Sequence, residues 1–238
     1  MGGLFAQVNC KPHSLGTKSI FMGDVLKREK QKKIKELENS ILKTVKANLK
    51  PYGFKTKGYK IWCVQNDLFF TMMLSISTSN EDGCNFYTHI RAKPMYADDL
   101  FWDIMDMRSN KRKPLSLRAI GVFALFGAPV TCIRTKMETL EISELEELVK
   151  KALGTLYALL QQIKGKEIDW FYAQEKKQLC YYQDDALRVM MLLHHGKYTE
   201  TMEYIHNSDS GNGDFVNEGK SLYERVSLYC KRKNKQIV

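Results

Sequence analysis

The chain has 238 residues, of which 44% are hydrophobic and 27% charged, and its formal net charge is +10. This length and apolar content allow one large domain with a buried core, or one domain with an appendage. No apolar run reaches the ~18–20 residues that a membrane span needs, and the first residues lack the pattern of a secretory signal. We therefore expect a soluble protein without a membrane partner.

The N-terminal part of the chain predicts an arm followed by a long helix. Residues 1–24 contain Gly, Ser, Pro and Lys without periodicity, which is typical of a loose N-terminal arm. From Val25 to Leu49, apolar residues recur at helical spacing and predict an amphipathic helix. Pro51 ends this helix, because the residue before a proline avoids the helical backbone region.

The stretch from Phe54 to Lys93 predicts three antiparallel strands, at Tyr59–Val64, Leu68–Ser77 and Asn85–Lys93, separated by Asn- and Asp-containing turns. Side chains alternate between the two faces of a strand. One face is therefore apolar, and its residues in the second strand are Leu68, Phe70, Met72, Leu74 and Ile76. The other face is mixed, and long helices on either side of the meander are expected to cover the apolar one.

The next stretch predicts further helices and a hairpin. Asp98 or Asp99 opens a short helix, since carboxylates are favourable at a helix start. Leu117–Phe126 is ambiguous, and its β-branched and aromatic residues favour a hairpin with a strand at 130–135. Ser143–Ile163 predicts a second long amphipathic helix, with Ser143 and Glu146 as a capping box and Gly165 at its C-terminal end.

The C-terminal part predicts a helical region without strands. Three helices are expected at Gln183–His195, Tyr198–Asn207 and Glu218–Lys231, and the loop at 208–214 is Gly- and Asp-rich. The predicted fold class is α+β: an antiparallel sheet packed by two long helices and followed by a helical appendage. The predicted organisation is an arm at 1–24, a sheet domain at 25–165 and a helical region at 166–238 packed on it.

The run LKPYGFKTKGY at 49–59, after a helix and before two strands, carries a resemblance. It resembles a bacterial domain family of unknown function whose members have a helix, an L-x-P-x-G-F-basic turn and an antiparallel sheet. Phe101-Trp102-Asp103-Ile104 is similar to that family's next segment. The resemblance covers 34–163, and it implies a bacterial source and an α+β fold without implying an activity.

Positive charge is concentrated in three segments, at 27–50, 108–113 and 231–235. Such runs are either solvated surfaces or sites for an anionic partner. If this chain binds nucleic acid, the candidate residues are Lys32, Lys33, Arg108, Lys111, Arg112 and Lys113. Trp62, Phe69 and Tyr87 offer a possible stacking surface for single-stranded nucleic acid, provided that no helix covers the mixed face.

Catalytic signatures are weak in this sequence. His89 lies mid-strand with Tyr87 and Arg91 on the mixed face, where they form a candidate acid–base or anion-binding group. Gly219-Lys220-Ser221 lacks the earlier glycine of a phosphate loop. His194 and His195 lack further ligands at metal spacing. We predict no metal and no cofactor.

Six scattered cysteines show neither a zinc spacing nor a compact disulfide framework, which indicates a reducing cytoplasm. The leading hypothesis is a non-catalytic cytoplasmic protein that binds a macromolecule, with another protein as the favoured partner. The first alternative is nucleic-acid binding through the basic helix and loop. The second is an enzyme with its site at His89.

Overall fold

A computed structural model describes residues 17–79, 83–120, 124–139, 141–163, 185–208 and 215–234. Within these ranges the chain forms a five-stranded antiparallel sheet together with six α-helices. The predicted α+β class is therefore confirmed. None of the helices in the described ranges combines the length and the apolar character that crossing a bilayer requires.

Helix α1 runs from Thr17 to Asn48, so the prediction of a loose arm up to residue 24 is wrong for residues 17–24. Neither Gly23 nor the missing apolar periodicity prevents this stretch from being helical. A single glycine inside a helix costs only about 1 kcal/mol relative to alanine, and the surrounding residues tolerate helix. Residues 1–16 lie outside the described ranges. A short 3₁₀ turn at Lys50–Tyr52 follows, and Gly53, with φ +69°, leads the chain into the sheet.

The strands follow one another in space as they do in sequence, so each pairs with its neighbour along the chain. Their bounds are Lys55–Lys57 (β1), Lys60–Gln65 (β2), Leu68–Ser79 (β3), Gly83–Pro94 (β4) and Ala128–Met137 (β5). The meander that the sequence predicted is β2 to β4. Strand β1 was missed because it has only three residues, two of them lysines, and lysine is depleted in strands.

The apolar face of the sheet is buried as predicted. In β3 its side chains, Leu68, Phe70, Met72, Leu74 and Ile76, are all at most 9% exposed. Helices α1 and α3 (Ile142–Gln162) pack on each other and on this face. They contribute the stripes Leu37, Ile41 and Val45 from α1, which Leu49 continues just after the helix, and Leu145, Val149, Leu153, Leu156 and Leu160 from α3. Burial of apolar area is the main term that holds this layer in place.

A β-bulge interrupts the pairing of β4 with β5. Ile90 lies opposite Thr131 but Arg91 lies opposite Pro129, so Val130 is an extra residue in β5. A bulge of this kind shifts the side-chain alternation of the strand that carries it. Beyond the bulge, Cys132, Arg134 and Lys136 are therefore on the mixed face, where they are cross-strand neighbours of His89, Tyr87 and Asn85.

The predicted hairpin is wrong in its first strand, at 117–126, whereas its second strand, predicted at 130–135, is present within β5. After α2 (Met95–Ile104), the chain forms 3₁₀ turns at Arg108–Arg112 and Leu115–Ala119, and the described residues 124–127 are not strand. The described apolar residues Leu117, Ala119, Ala124 and Leu125 pack in the apolar clusters instead of pairing in a hairpin, and residues 121–123 lie outside the described ranges. At its end, Gly127 lies against the backbone of Ala92 in β4, where an added Cβ would sit 2.7 Å from the carbonyl oxygen. Only glycine fits this approach.

The capping box predicted at the start of α3 is also wrong. The helix begins at Ile142, Glu141 is its N-cap, and no side chain caps it. Glu144 instead accepts hydrogen bonds from the amides of Glu138 and Thr139, both at 2.8 Å. It thus holds the loop that enters the helix. The proposed C-terminal glycine, Gly165, lies outside the described residues.

The C-terminal region contains helices α4 (Asp185–His194), α5 (Tyr198–Asn207) and α6 (Leu222–Asn234). The last begins later than the predicted residue 218, because two-residue strands at Val216–Asn217 and Lys220–Ser221 form a hairpin there. Ser221 and Glu224 form a reciprocal capping box: the Ser221 amide donates to the Glu224 carboxylate at 2.7 Å, and the Glu224 amide donates to Ser221 Oγ at 3.3 Å.

The C-terminal helices contact the sheet domain through α2. The ring of Tyr96 in α2 stacks on His194 of α4, with 3.6 Å between ring centroids. Asn217 donates to the carbonyl of Met105 at 2.7 Å, and the Arg225 guanidinium pairs with Asp106. These contacts place α4 and α6 against α2, and the apolar residues of all three belong to the main core.

Two glycine substitutions should have opposite effects on stability. Gly127→Ala places a methyl group against the Ala92 backbone, and we expect a loss of about 1–3 kcal/mol in the free energy of unfolding, as for overpacking. Gly154→Ala, within α3 and with open space around its Cβ position, should gain about 0.5–1 kcal/mol. Urea denaturation of both variants measures the two changes. Stabilisation by Gly127→Ala would contradict the packing described here.

Candidate functional site: the open face of the sheet

The mixed face of the sheet is open over most of its area. Its exposed or half-exposed side chains come from all five strands: Lys55, Lys57, Lys60, Thr71, Met73, Ser75, Ser77, Tyr87, His89, Arg91, Cys132, Arg134 and Lys136. Among the described strand residues on this face, none is acidic. We call this set the open face. Its charged side chains all carry the same sign.

One end of the mixed face is closed. Trp62 and Phe69 stack on each other with 5.4 Å between ring centroids and are at most 6% exposed. Ala119, from the 3₁₀ turn at 115–119, and Met95 pack on them and complete a second, smaller apolar cluster. The stacking surface predicted from Trp62, Phe69 and Tyr87 is therefore wrong for its first two members, because this turn covers them.

A buried ion-pair network holds that covering segment in place. The Lys93 ammonium, 1% exposed, donates to Asp98 Oδ1 at 2.9 Å and to the carbonyls of Arg118 and Leu125 at 2.8 and 2.5 Å. Asp98, fully buried, also accepts from the Leu125 amide at 2.9 Å and from Arg118 Nη1 at 3.3 Å. A buried charge is tolerated when it is paired and fully hydrogen-bonded. The network thus binds Arg118 and Leu125 to the end of β4 and the start of α2.

The centre of the open face combines aromatic rings with cations. Tyr87 and His89, at alternate positions of β4, have parallel rings with centroids 5.9 Å apart and an interplanar angle of 7°. Phe126, which is 47% exposed, lies beneath two cations: Lys60 Nζ at 5.5 Å and the Arg91 guanidinium carbon at 5.7 Å from its ring centroid. Arg91 is oriented by donating to the Gly127 carbonyl at 3.1 Å.

The positive charges on this face repel one another. Partial burial and the charge of Arg91 lower the pKa of Lys60 below its ordinary value. The same two causes, burial first, lower the pKa of His89. His89 is therefore neutral near pH 7, and its Nδ1 lies 3.3 Å from the Sγ of Cys132. A negative ligand group placed among these cations would relieve the repulsion.

The basic residues predicted from the sequence lie elsewhere. Lys32 and Lys33 are on α1, in the layer that covers the apolar face, and Lys33 pairs with Glu141 at 3.7 Å. Arg108 and Lys111 pair with Asp103 of α2 at 3.6 and 2.6 Å, and Arg112 and Lys113 are exposed beside them. Glu141 therefore neutralises part of the charge of α1, and Asp103 neutralises part of the charge of the loop at 108–113.

The predicted enzyme residues do lie side by side. Tyr87, His89 and Arg91 alternate along β4, with Ser75, Met73 and Thr71 of β3 directly opposite them. Their catalytic role stays a prediction. Gly219, Lys220 and Ser221 form the turn and second strand of a small hairpin, not a strand-to-helix phosphate loop. Within the described residues there is no group of three or more metal-ligating side chains.

Sequence reasoning missed several residues of this face, namely Lys60, Phe126, Cys132, Arg134 and Lys136. Lys60 lies within the strand predicted at Tyr59–Val64 and Cys132 within the strand predicted at 130–135, but neither was named as a candidate site residue. Cys132, Arg134 and Lys136, all on β5, reach the open face only because of the bulge. The pattern Arg134-x-Lys136 within a predicted strand was the available signal, since alternate residues share a face.

Comparisons with protein-family models, curated proteins and solved structures gave no match. The resemblance to a bacterial domain family therefore stays a prediction. The open face has to be interpreted from its own chemistry.

Replacing the buried carboxylate tests the network at the closed end. Asp98→Ala leaves the Lys93 ammonium without its counter-charge, and we expect a loss of about 3–5 kcal/mol in unfolding free energy. Glu200→Ala removes the partner of an exposed surface pair, Lys197–Glu200, and should leave the urea midpoint almost unchanged. Equal effects of the two substitutions would show that the buried network does not hold the segment.

Proposed function

We propose that this chain binds single-stranded nucleic acid on the open face of its sheet. The observation that carries the proposal is a sheet surface on which every charged side chain of the described strands is basic, with exposed aromatic rings at its centre. Such a combination suits a ligand that is negative along its backbone and flat at its bases. The predicted bacterial and cytoplasmic setting is part of this proposal, and the absence of disulfides at the described Cys63, Cys84, Cys132 and Cys230 supports a reducing compartment.

The charge arrangement supports contact with several phosphates. Lys57 and Lys60 lie on one side of the face, Arg91 near its middle, and Arg134 with Lys136 on the other side. Strands are about 4.8 Å apart and alternate residues about 6.8 Å apart, so these cations span about 20 Å. Phosphate contacts supply most of the affinity of a nucleic-acid-binding surface, and that affinity falls as salt rises.

The aromatic arrangement distinguishes a nucleic acid from other polyanions. Tyr87 is half-exposed and parallel to His89, and Phe126 presents an exposed ring flanked by Lys60 and Arg91. A base that stacks on such a ring contributes about 1–3 kcal/mol. A protein is the partner type favoured from the sequence alone, and a protein that bound here through an acidic segment would use only the charges.

Charge-matched double variants locate the interface. For Arg134→Gln/Lys136→Gln we expect weaker binding of oligouridylate and oligothymidylate, and a plot of log affinity against log salt that is shallower by about 1.4, or 0.7 per lost phosphate contact. Lys32→Gln/Lys33→Gln removes the same charge from α1 and should change the slope little. Fluorescence anisotropy at about 50 and about 200 mM salt measures both.

The outcomes of this experiment separate the alternatives. If only the Lys32/Lys33 variant, or a matching variant of Arg108 and Lys111, loses affinity, the basic helix and loop form the interface. If polyglutamate of equal charge competes as well as the oligonucleotides do, the open face is a surface for acidic proteins. If the wild-type chain binds no oligonucleotide at low salt, the proposal is wrong.

Removing the central ring tests base stacking. Tyr87→Ala should weaken oligonucleotide binding about 5- to 150-fold, which corresponds to about 1–3 kcal/mol. Tyr87→Phe keeps the ring and should bind almost like the wild type. Tyr157→Ala removes an equally large exposed ring from α3, on the opposite side of the sheet, and serves as the matched control. Equal affinities of the alanine and phenylalanine variants at position 87 would exclude stacking there.

A further inference from the structure

Cys132 differs from the other described cysteines in its surroundings. Cys63, Cys84 and Cys230 are buried in the core, and burial raises the pKa of each thiol, to about 12 for Cys63 and about 11 for Cys230. These three groups therefore stay protonated and inert. Cys132 is half-exposed on β5, next to the cations of the open face.

Cys132 has a base within hydrogen-bonding distance. Its Sγ lies 3.3 Å from Nδ1 of His89, which is directly opposite it in the register of β4 and β5. The imidazole is neutral near pH 7, because partial burial and the charge of Arg91 lower its pKa. With the ring proton on Nε2, Nδ1 accepts the thiol proton.

The charges around this pair favour a negative sulfur. The titratable side chains that face it from the neighbouring strands are Lys60 of β2, Tyr87 and Arg91 of β4, and Arg134 and Lys136 of β5, whereas β3 contributes Met73 and Ser75. Four of these five groups are cationic, and none of the described ones is a carboxylate. Thiolate formation, which cationic neighbours promote, controls cysteine reactivity.

We infer that Cys132 is a site of mixed-disulfide formation with small, anionic disulfides of the oxidised-glutathione type, and that His89 serves as its base. The thiol proton passes to His89 Nδ1, and the thiolate attacks one sulfur of the disulfide. A new S–S bond forms at Cys132, the old S–S bond breaks, and the departing thiolate takes up a proton, so one small thiol is released. This reaction does not depend on nucleic-acid binding.

The experiment measures the modification of each cysteine separately. The full-length folded chain, carrying Cys10→Ser and Cys180→Ser, is incubated with oxidised glutathione and, in parallel, with dithiobis(nitrobenzoate), an anionic aromatic disulfide. The modified peptides are quantified by mass spectrometry over time. We expect Cys132 to react at least about tenfold faster than Cys63, Cys84 or Cys230, since these are buried thiols. Rates no faster than those of the buried thiols would overturn the inference.

The role of His89 has its own readout. In wild-type protein the rate at Cys132 should reach half its maximum at a pH below the ordinary thiol value of about 8.5. His89→Asn should shift that midpoint upward and slow the reaction near pH 7 about tenfold, since the base is lost. His195→Asn, at an exposed position after α4, is the matched control and should leave the profile unchanged.

Circular dichroism at the labelling temperature confirms that each variant is folded. If His89→Asn does not fold, the pH midpoint of the reaction rate at Cys132 in the wild-type protein tests the activation of this thiol, because that measurement requires no variant. An ordinary thiol profile at Cys132, or identical profiles with and without His89, would contradict its assignment as the base.

Discussion

The ion pair between Lys93 and Asp98 decides which part of the second sheet face is interior and which part is surface. A lysine near the end of a strand is normally solvated, yet this one is surrounded by a carboxylate and two backbone carbonyls. An unpaired charge at such depth would cost several kcal/mol, so the segment that supplies its partners has little freedom to move away. Trp62 and Phe69 are buried as a consequence, and the remaining face stays open.

The distribution of charge between the two sides of the molecule follows from this arrangement. On the helix side, several lysines lie near acidic residues, for example Lys33 with Glu141 and Lys150 with Glu147. On the open face, Lys60 and Arg91 lie close together over the ring of Phe126, and none of the described strand residues of this face is acidic. Like charges that are kept close together destabilise the folded state slightly. A bound anionic ligand would compensate for this cost, which is why we propose that the ligand binds on this face.

The parts of the fold that local patterns govern could be predicted from the sequence. The alternation along Leu68–Ser77 identified the buried face, and the stripes of α1 and α3 identified its covering helices. The segment at 117–126 could not be predicted, because its apolar and β-branched residues suit a strand but its position depends on distant partners such as Lys93 and Asp98. Tertiary contacts override local preference in such segments.

The candidate site was only partly accessible to the same reasoning. Tyr87, His89 and Arg91 were correctly placed on one face, since a regular strand alternates its side chains. Cys132, Arg134 and Lys136 were not, because their orientation depends on one unpaired residue at the bulge. The charge runs at 27–50 and 108–113 were proposed as nucleic-acid-binding segments because basic residues are dense there along the chain. Density along the chain does not measure proximity in space.

The bulge at Val130 means that the character of the open face is encoded by a residue count as well as by residue types. In an uninterrupted strand, Thr131, Ile133 and Thr135 would occupy the positions that Cys132, Arg134 and Lys136 now hold. A chain without Val130 would pair regularly and keep Cys132 opposite His89, whereas a chain that keeps Val130 but pairs without the bulge would turn two cations and a thiol toward the helices. Related chains should therefore be aligned by which residue of β5 lies opposite His89 before any of their ligands are inferred.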